Sequence, residues 1–159
     1  MKIIRDRAIV DDDFLHVPDD AELPATGKPI VTLARYVKDG AALLAQFPAL
    51  GVRVPSDKLP EDVPTPDQLA LIAIEFPKFT DGRGYSIARQ LRDRHGFRGE
   101  LRAVGNVLRD QLYYMARCGF DAYELASGKS LESALEAFAE FSVKYQAAAD
   151  EKLPIYRRR

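Results

Sequence analysis

The chain has one cysteine, two histidines and no long uncharged apolar run, and each shortage excludes a class of protein. Cys118 alone cannot form an internal disulfide, and with only His16 and His95 beside it no recognisable metal-ligand spacing exists. The longest apolar run is far below the ~20 residues needed to span a bilayer. The N-terminus lacks the basic, apolar, small-residue order of a signal peptide. The expectation is a cytoplasmic protein with no membrane partner. Neither GxGxxG nor a Walker loop occurs, and no Ser/His/Asp or Cys/His set is assembled. The cofactor is therefore unknown, with none evident from sequence.

What is present describes an ordinary folded chain. At 159 residues, 47% of them hydrophobic, it is long enough for one domain with a sizeable core. A charged fraction of 30% and a net charge of −1 argue against disorder. The charge is unevenly spread, however. Residues 78–117 hold nine basic side chains (Lys78 and eight arginines) against four acidic ones. Arginine suits bidentate carboxylate or phosphate pairing, although solvated helix faces explain such a run equally well. With a pI near 6.1 and no accompanying motif, nucleic acid is not the expected partner.

The pattern of elements predicts an α/β fold: a mostly parallel sheet of about five strands with flanking helices, flavodoxin-like or partial-barrel, plus an N-terminal β-hairpin. Residues 1–159 read as a single domain, with the hairpin over 1–18 turning at Asp11-Asp12-Asp13 and a tail over 146–159 ending Arg157-Arg158-Arg159. Val31–Val37 and Gly51–Val54 read as strands, and Asp39–Phe47 as a short helix. Thr65-Pro66-Asp67-Gln68 matches a capping box with proline at the first helical position. Leu69–Phe76 is a near-continuous apolar run of the kind found in buried parallel strands. Gly84–His95 and Val107–Cys118 have helical periodicity, the second with Asn106 as N-cap and Gly119 as stop. Ser130 caps a last helix lined by Leu131, Leu135, Phe138, Ser142 and Tyr145. Cys118 and His95 both fall at helix C-termini, where a thiol is a packing residue rather than a nucleophile.

Almost every predicted strand carries one charge: Arg35, Arg53, Glu75, Arg102 and Glu124. Charge inside a parallel strand is costly unless it is paired. If neighbouring strands align, Glu75, Arg102 and Glu124 form an acid–base–acid row, which is either a structural network or part of a site. Ligands of open α/β sheets gather at the carboxyl ends of strands. That rule collects Glu75, Lys78, Thr80, Asp81 and Arg83 after one strand and Gly105, Asn106 and Arg109 after the next, with Lys78, Thr80, Arg83, Asn106 and Arg109 as the candidate ligand-binding residues. An oxyanion would sit there between the Thr80–Gly84 and Gly105–Arg109 loops, each of which leads into a helix N-terminus. Tight turns with capped helices are the alternative reading of the same loops.

The stretches FPKFTDGRGYSIARQLR and GFRGELRAVGNVLRDQLYYMARCGFDAYEL carry a resemblance. They closely resemble a bacterial family of unknown function whose genes commonly lie beside those for assimilatory sulfite reductase and phosphoadenosine-phosphosulfate reductase. The resemblance runs from the early strand through Phe141. Family members often have aspartate at the position of Asn106, so this chain retains an N-cap there and no catalytic carboxylate. Members are often labelled oxidoreductases of sulfite reduction. The resemblance implies an accessory protein of sulfite reduction and cysteine biosynthesis, binding the sulfite reductase haemoprotein, another sulfate-assimilation enzyme or an electron donor. Two rivals remain: a small enzyme or sensor taking a sulfur oxyanion or phosphorylated metabolite at the arginine-rich strand ends, and a structural homo-oligomer.

Overall fold

The computed structural model describes residues 1–139 and 146–157. One sheet of eight strands organises it: β1 Lys2–Arg5, β2 Ala8–Asp11, β3 Phe14–His16, β4 Lys28–Thr32, β5 Gly51–Val54, β6 Leu71–Phe76, β7 Glu100–Gly105 and β8 Ala122–Tyr123. Their order is β2-β1-β8-β7-β6-β5-β4-β3. Strands β3 to β8 pair in parallel, whereas β1 runs antiparallel to both β8 and β2. The sheet is therefore mixed and larger than the five or so parallel strands expected from sequence. The hairpin joins the sheet through β8, and the three-residue β3 adds the opposite edge.

The chain itself requires this sheet to curl. Eight flat strands spaced ~4.8 Å apart would put the edges roughly 34 Å from each other. Yet β2 and β3, the two edges, are joined by Asp12 and Asp13 alone, and three extended steps reach at most about 11 Å. The sheet consequently rolls into a partial barrel with the Asp12-Asp13 link across its opening.

Rolling creates two unlike faces. Outward-pointing Ile72, Ile74 and Phe76 of β6, with Val31, Val52, Leu101 and Ala103, pack beneath the helices in the main apolar cluster. These helices are α1 Leu33–Gln46, α2 Arg83–Asp93, α3 Leu112–Cys118 and α4 Leu131–Glu136. Inside the curl the apolar filling is small: Ile30, Leu71, Ala73 and Val104, with Phe14 against them. Several other inward positions carry charge, among them Arg53, Glu75, Arg102 and Glu124.

Several local expectations need correction. The N-terminal hairpin turns at Asp6-Arg7, both left-handed (φ 50° and 61°), the geometry of a tight hairpin turn, and not at the aspartate triplet. Residues 33–37 begin α1 instead of extending a strand, because the Thr32 hydroxyl accepts the Arg35 N–H at 3.2 Å and caps the helix. Arg35 is thus helical. A break at Asp39 (φ −122°) divides α1 where the sequence pattern placed a helix start. Thr65 is left-handed (φ 42°) and makes no side-chain cap, although the single turn expected there is present as the 3₁₀ turn Pro66–Gln68. Asn106 caps nothing. Its N–H donates to Phe76 O at 2.7 Å, a 3₁₀ turn follows at Arg109–Gln111, and α3 starts only at Leu112. Gly105 permits this close approach: at φ 97° a Cβ would lie 2.6 Å from Phe76 O. Ser130 does cap α4, accepting the Ser133 N–H at 3.1 Å. Ser142, Tyr145, Arg158 and Arg159 lie outside the described residues. Among those described, no helix is long and apolar enough to cross a membrane.

Ile74 has no exposed surface. Ile74→Ala is expected to cost ~2–5 kcal/mol through lost burial and the cavity left behind. A chemical denaturation midpoint that does not move would contradict that packing.

Candidate functional site

Arg102 occupies the centre of the polar interior and has no exposure to water. In β7 register it faces Ala73 on one side and Ala122 on the other, so small side chains leave room for its guanidinium. Three carboxylates surround it. Nη1 and Nη2 donate to Asp12 at 2.7 and 2.9 Å, Nε donates to Glu100 at 2.7 Å, and Nη1 also reaches Glu124 at 2.8 Å. The Phe14 ring covers the group from 5.5 Å. Around this centre, Arg5 lies 2.8 Å from Glu100 and His16 Nε2 lies 2.8 Å from Glu124.

The electrostatics follow from that geometry. Burial opposes the Arg102 charge, but the bonds to Asp12 and the fields of Glu100 and Glu124 outweigh it and raise the guanidinium's pKa further. Burial likewise opposes ionisation of Glu124 and Asp12. His16 and Arg102 nevertheless hold Glu124 below its usual range, and Arg102 does the same for Asp12. The His16 ring meets the Glu124 carboxylate through Nε2. Nδ1 is buried and has no hydrogen-bond partner among the described residues.

Glu75 takes a different partner. It stands two residues above Ala73 on β6, and Arg53 of β5 donates to it from Nη2 at 3.1 Å. Glu75, Arg102 and Glu124 all project into the curl, yet only the last two touch; Arg102 is already surrounded, while Arg53 is not.

The five residues gathered from the strand-end loops do not converge. Asp81 fills the place an oxyanion would take: its Oδ1 accepts the Arg83 N–H at 3.2 Å at the start of α2. Arg83 folds back on the same carboxylate at 2.9 and 2.7 Å, and Ser56 donates to it at 2.7 Å. The Arg83 and Ser56 bonds hold the Asp81 carboxyl well below the usual range. Arg109 Nε turns toward α4 and donates to Ser133 O at 2.9 Å. Asn106 is held by its backbone. Lys78 and Thr80 are exposed beside Phe79, whose carbonyl accepts from Gln111 at 3.4 Å. Cys118, the last residue of α3, is buried, and burial pushes its thiol up.

Sequence reasoning missed Asp12, Arg5, Glu100 and His16 as members of the network. Asp12 and Arg102 are 90 positions apart, and His16 and Glu124 are 108 apart. No local spacing announces such pairs.

Removing Arg102 while its carboxylates stay buried should destabilise by roughly 3–5 kcal/mol. Arg102→Met tests this by denaturation, and an unchanged midpoint would dissolve the network. The acid response has a definite sign. Asp12 and Glu124 have depressed pKa values in the folded state, so their contribution is present above the unfolded carboxylate range and is lost as pH falls below about 4. Glu124→Gln should therefore be less stable than the wild type at neutral pH, with the gap narrowing on acidification. A gap that widens would reverse the assignment.

Comparison with known proteins gives a family without an activity. Residues 51–156 match the family model described as a bacterial protein of unknown function (DUF934). A histidinol-phosphate aminotransferase of Stutzerimonas stutzeri is 31% identical over 129 residues, covering 79% of this chain and 31% of the aminotransferase. The chain thus spans about a third of the length of that curated relative. No solved structure matches. The chain belongs to the DUF934 family.

Proposed function

We propose that this DUF934 member is an accessory protein of assimilatory sulfite reduction and cysteine biosynthesis, acting in the cytoplasm by binding the sulfite reductase haemoprotein. The genomic neighbourhood implied by the sequence resemblance supplies the pathway. One observation about the surface supports the mode of action. Phe79 and Tyr114 are 53% and 59% exposed and flank Gln111 and Tyr85, whose ring lies 5.1 Å from that of Tyr114. Lys78 adjoins Phe79 in the chain, and Arg89 and Arg117 line one recess with Tyr85 and Tyr114.

Exposed aromatics ringed by arginine are the composition of an interface centre, where a few residues carry most of the binding energy. The exposed Lys78 beside Phe79 and the Arg89 beside Tyr114 favour a partner with an acidic docking surface and a salt-sensitive encounter. The oxidoreductase label is not needed for this role, because a docking protein positions or assembles a redox partner without carrying its own cofactor.

The test is retention of the purified protein on immobilised sulfite reductase haemoprotein. Binding should weaken with salt, and Tyr114→Ala or Phe79→Ala should weaken it about tenfold with no change in melting temperature. Retention equal to that of an unrelated protein of similar charge would end the proposal.

A further inference from the structure

A cleft of about 240 Å³ opens at the carboxyl ends of β3, β4 and β5, lined by His16, Val17, Pro18, Asp19, Thr32 and Arg53 among others. It lies beside the Arg102 network, since His16 is in both. Its walls are fixed by the protein's own bonds. Val17 N–H donates to Ile30 O at 2.9 Å. Arg35 reaches back from α1 to the Pro18 and Ala21 carbonyls at 3.3 and 3.0 Å. Glu124 clamps the His16 ring. The loop after β3 is thus held in place without a ligand, as in largely preformed small-molecule sites.

The polar groups on these walls are incompletely used. Arg53 spends one nitrogen on Glu75 at 3.1 Å, while Nε and Nη1 have no partner among the described residues. Asp19 accepts the Thr32 hydroxyl on Oδ1, and its Oδ2 has no partner among the described residues. One cation with open donors and one carboxylate with an open oxygen therefore line the same small cleft, with Val17, Pro18 and Ile30 as its apolar surface.

We propose that this cleft binds a small zwitterionic organic acid of the amino-acid class, its carboxylate on Arg53, its ammonium on Asp19 and its short aliphatic body against Val17 and Pro18. A bare oxyanion is the poorer fit. Asp19 and Glu75 stand on either side of Arg53 and repel a second negative charge, whereas a zwitterion satisfies both signs. A simple cation would leave the open guanidinium donors unused. Arg53 is half-exposed, so its pairing with Glu75 adds little stability. Its removal should leave the fold intact.

The full chain titrated with L-alanine, and separately with propionate and ethylammonium as the two halves of that molecule, provides the test by NMR. Alanine should shift the Val17 and Thr32 amides saturably at millimolar concentration, with each half about tenfold weaker. Arg53→Ala should abolish the response at an unchanged melting temperature. Asp19→Asn should weaken alanine while strengthening propionate, whose charge the native Asp19 opposes. A saturable shift that survives Arg53→Ala, or none with alanine, overturns the proposal. Sulfite or sulfate acting on the same amides more strongly than alanine overturns it in favour of an oxyanion.

Discussion

A guanidinium with no access to water is tolerated in this protein only because three carboxylates meet it, and those carboxylates come from distant parts of the chain. Asp12 arrives on the link between the two sheet edges, Glu100 from the start of β7 and Glu124 from the end of β8. The charge at Arg102 thereby ties the closure of the curl to the register of its strands. A one-residue slip of β7 would carry the guanidinium to the helix-covered face, among Leu101 and Ala103, with no acceptor to receive it. Apolar packing alone would not discriminate so sharply, because both faces of β6 and β7 contain apolar residues. The buried ions specify one arrangement; their net contribution to stability is a separate matter.

Which cations remain available to other molecules follows from local chain chemistry. Arg83 carries the sequence signature of an anion binder, next to glycines and a helix start. Asp81, two residues before it, satisfies both the helix N–H and the guanidinium. Arg53 lacks such a neighbour. Its strand ends at Val54, with Pro55 next, and its one partner among the described residues, Glu75, sits on the adjacent strand. Of these two arginines, the one in the less suggestive context therefore keeps more of its donors open. Glycine-rich turns indicate where backbone can approach a ligand, but not whether a nearby carboxylate already occupies that place.

Legibility in the sequence followed the range of the interaction. Leu69–Phe76 and the α2 helix were readable because a buried parallel strand and an amphipathic helix write their burial into consecutive residues. Glu75, Arg102 and Glu124 were identifiable as inward charges by simple alternation along their strands. The pairing of Arg102 with Asp12 was not, because contact between residues 90 positions apart depends on how far the sheet curls. VTLARYV misled for a different reason: a short β-branched opening and a helix start share these residue types, and Thr32 serves both as the last strand residue and as the cap. Likewise VGNVLRDQ has the letters of a capped helix. The Asn106 N–H instead closes a bond to Phe76 O, and the helix starts six residues later.

The pairing of β1 with β8 also constrains the order of assembly. Ile4 finds Tyr123 across the sheet, so the amino-terminal hairpin has no sheet to join until nearly the whole parallel array exists. Loop closure of this length slows folding because its entropy is spent before the contact repays it. During synthesis, β1 and β2 emerge before the strands they join and wait for β8, leaving a strand edge open to foreign chains in the interval. The aspartates at residues 11–13 beside that edge give the waiting segment a run of like charge, which disfavours edge-to-edge pairing between nascent copies. Two of these three residues, Asp12 and Asp13, later bridge the finished partial barrel, so the same aspartates keep its unfinished form apart from its neighbours.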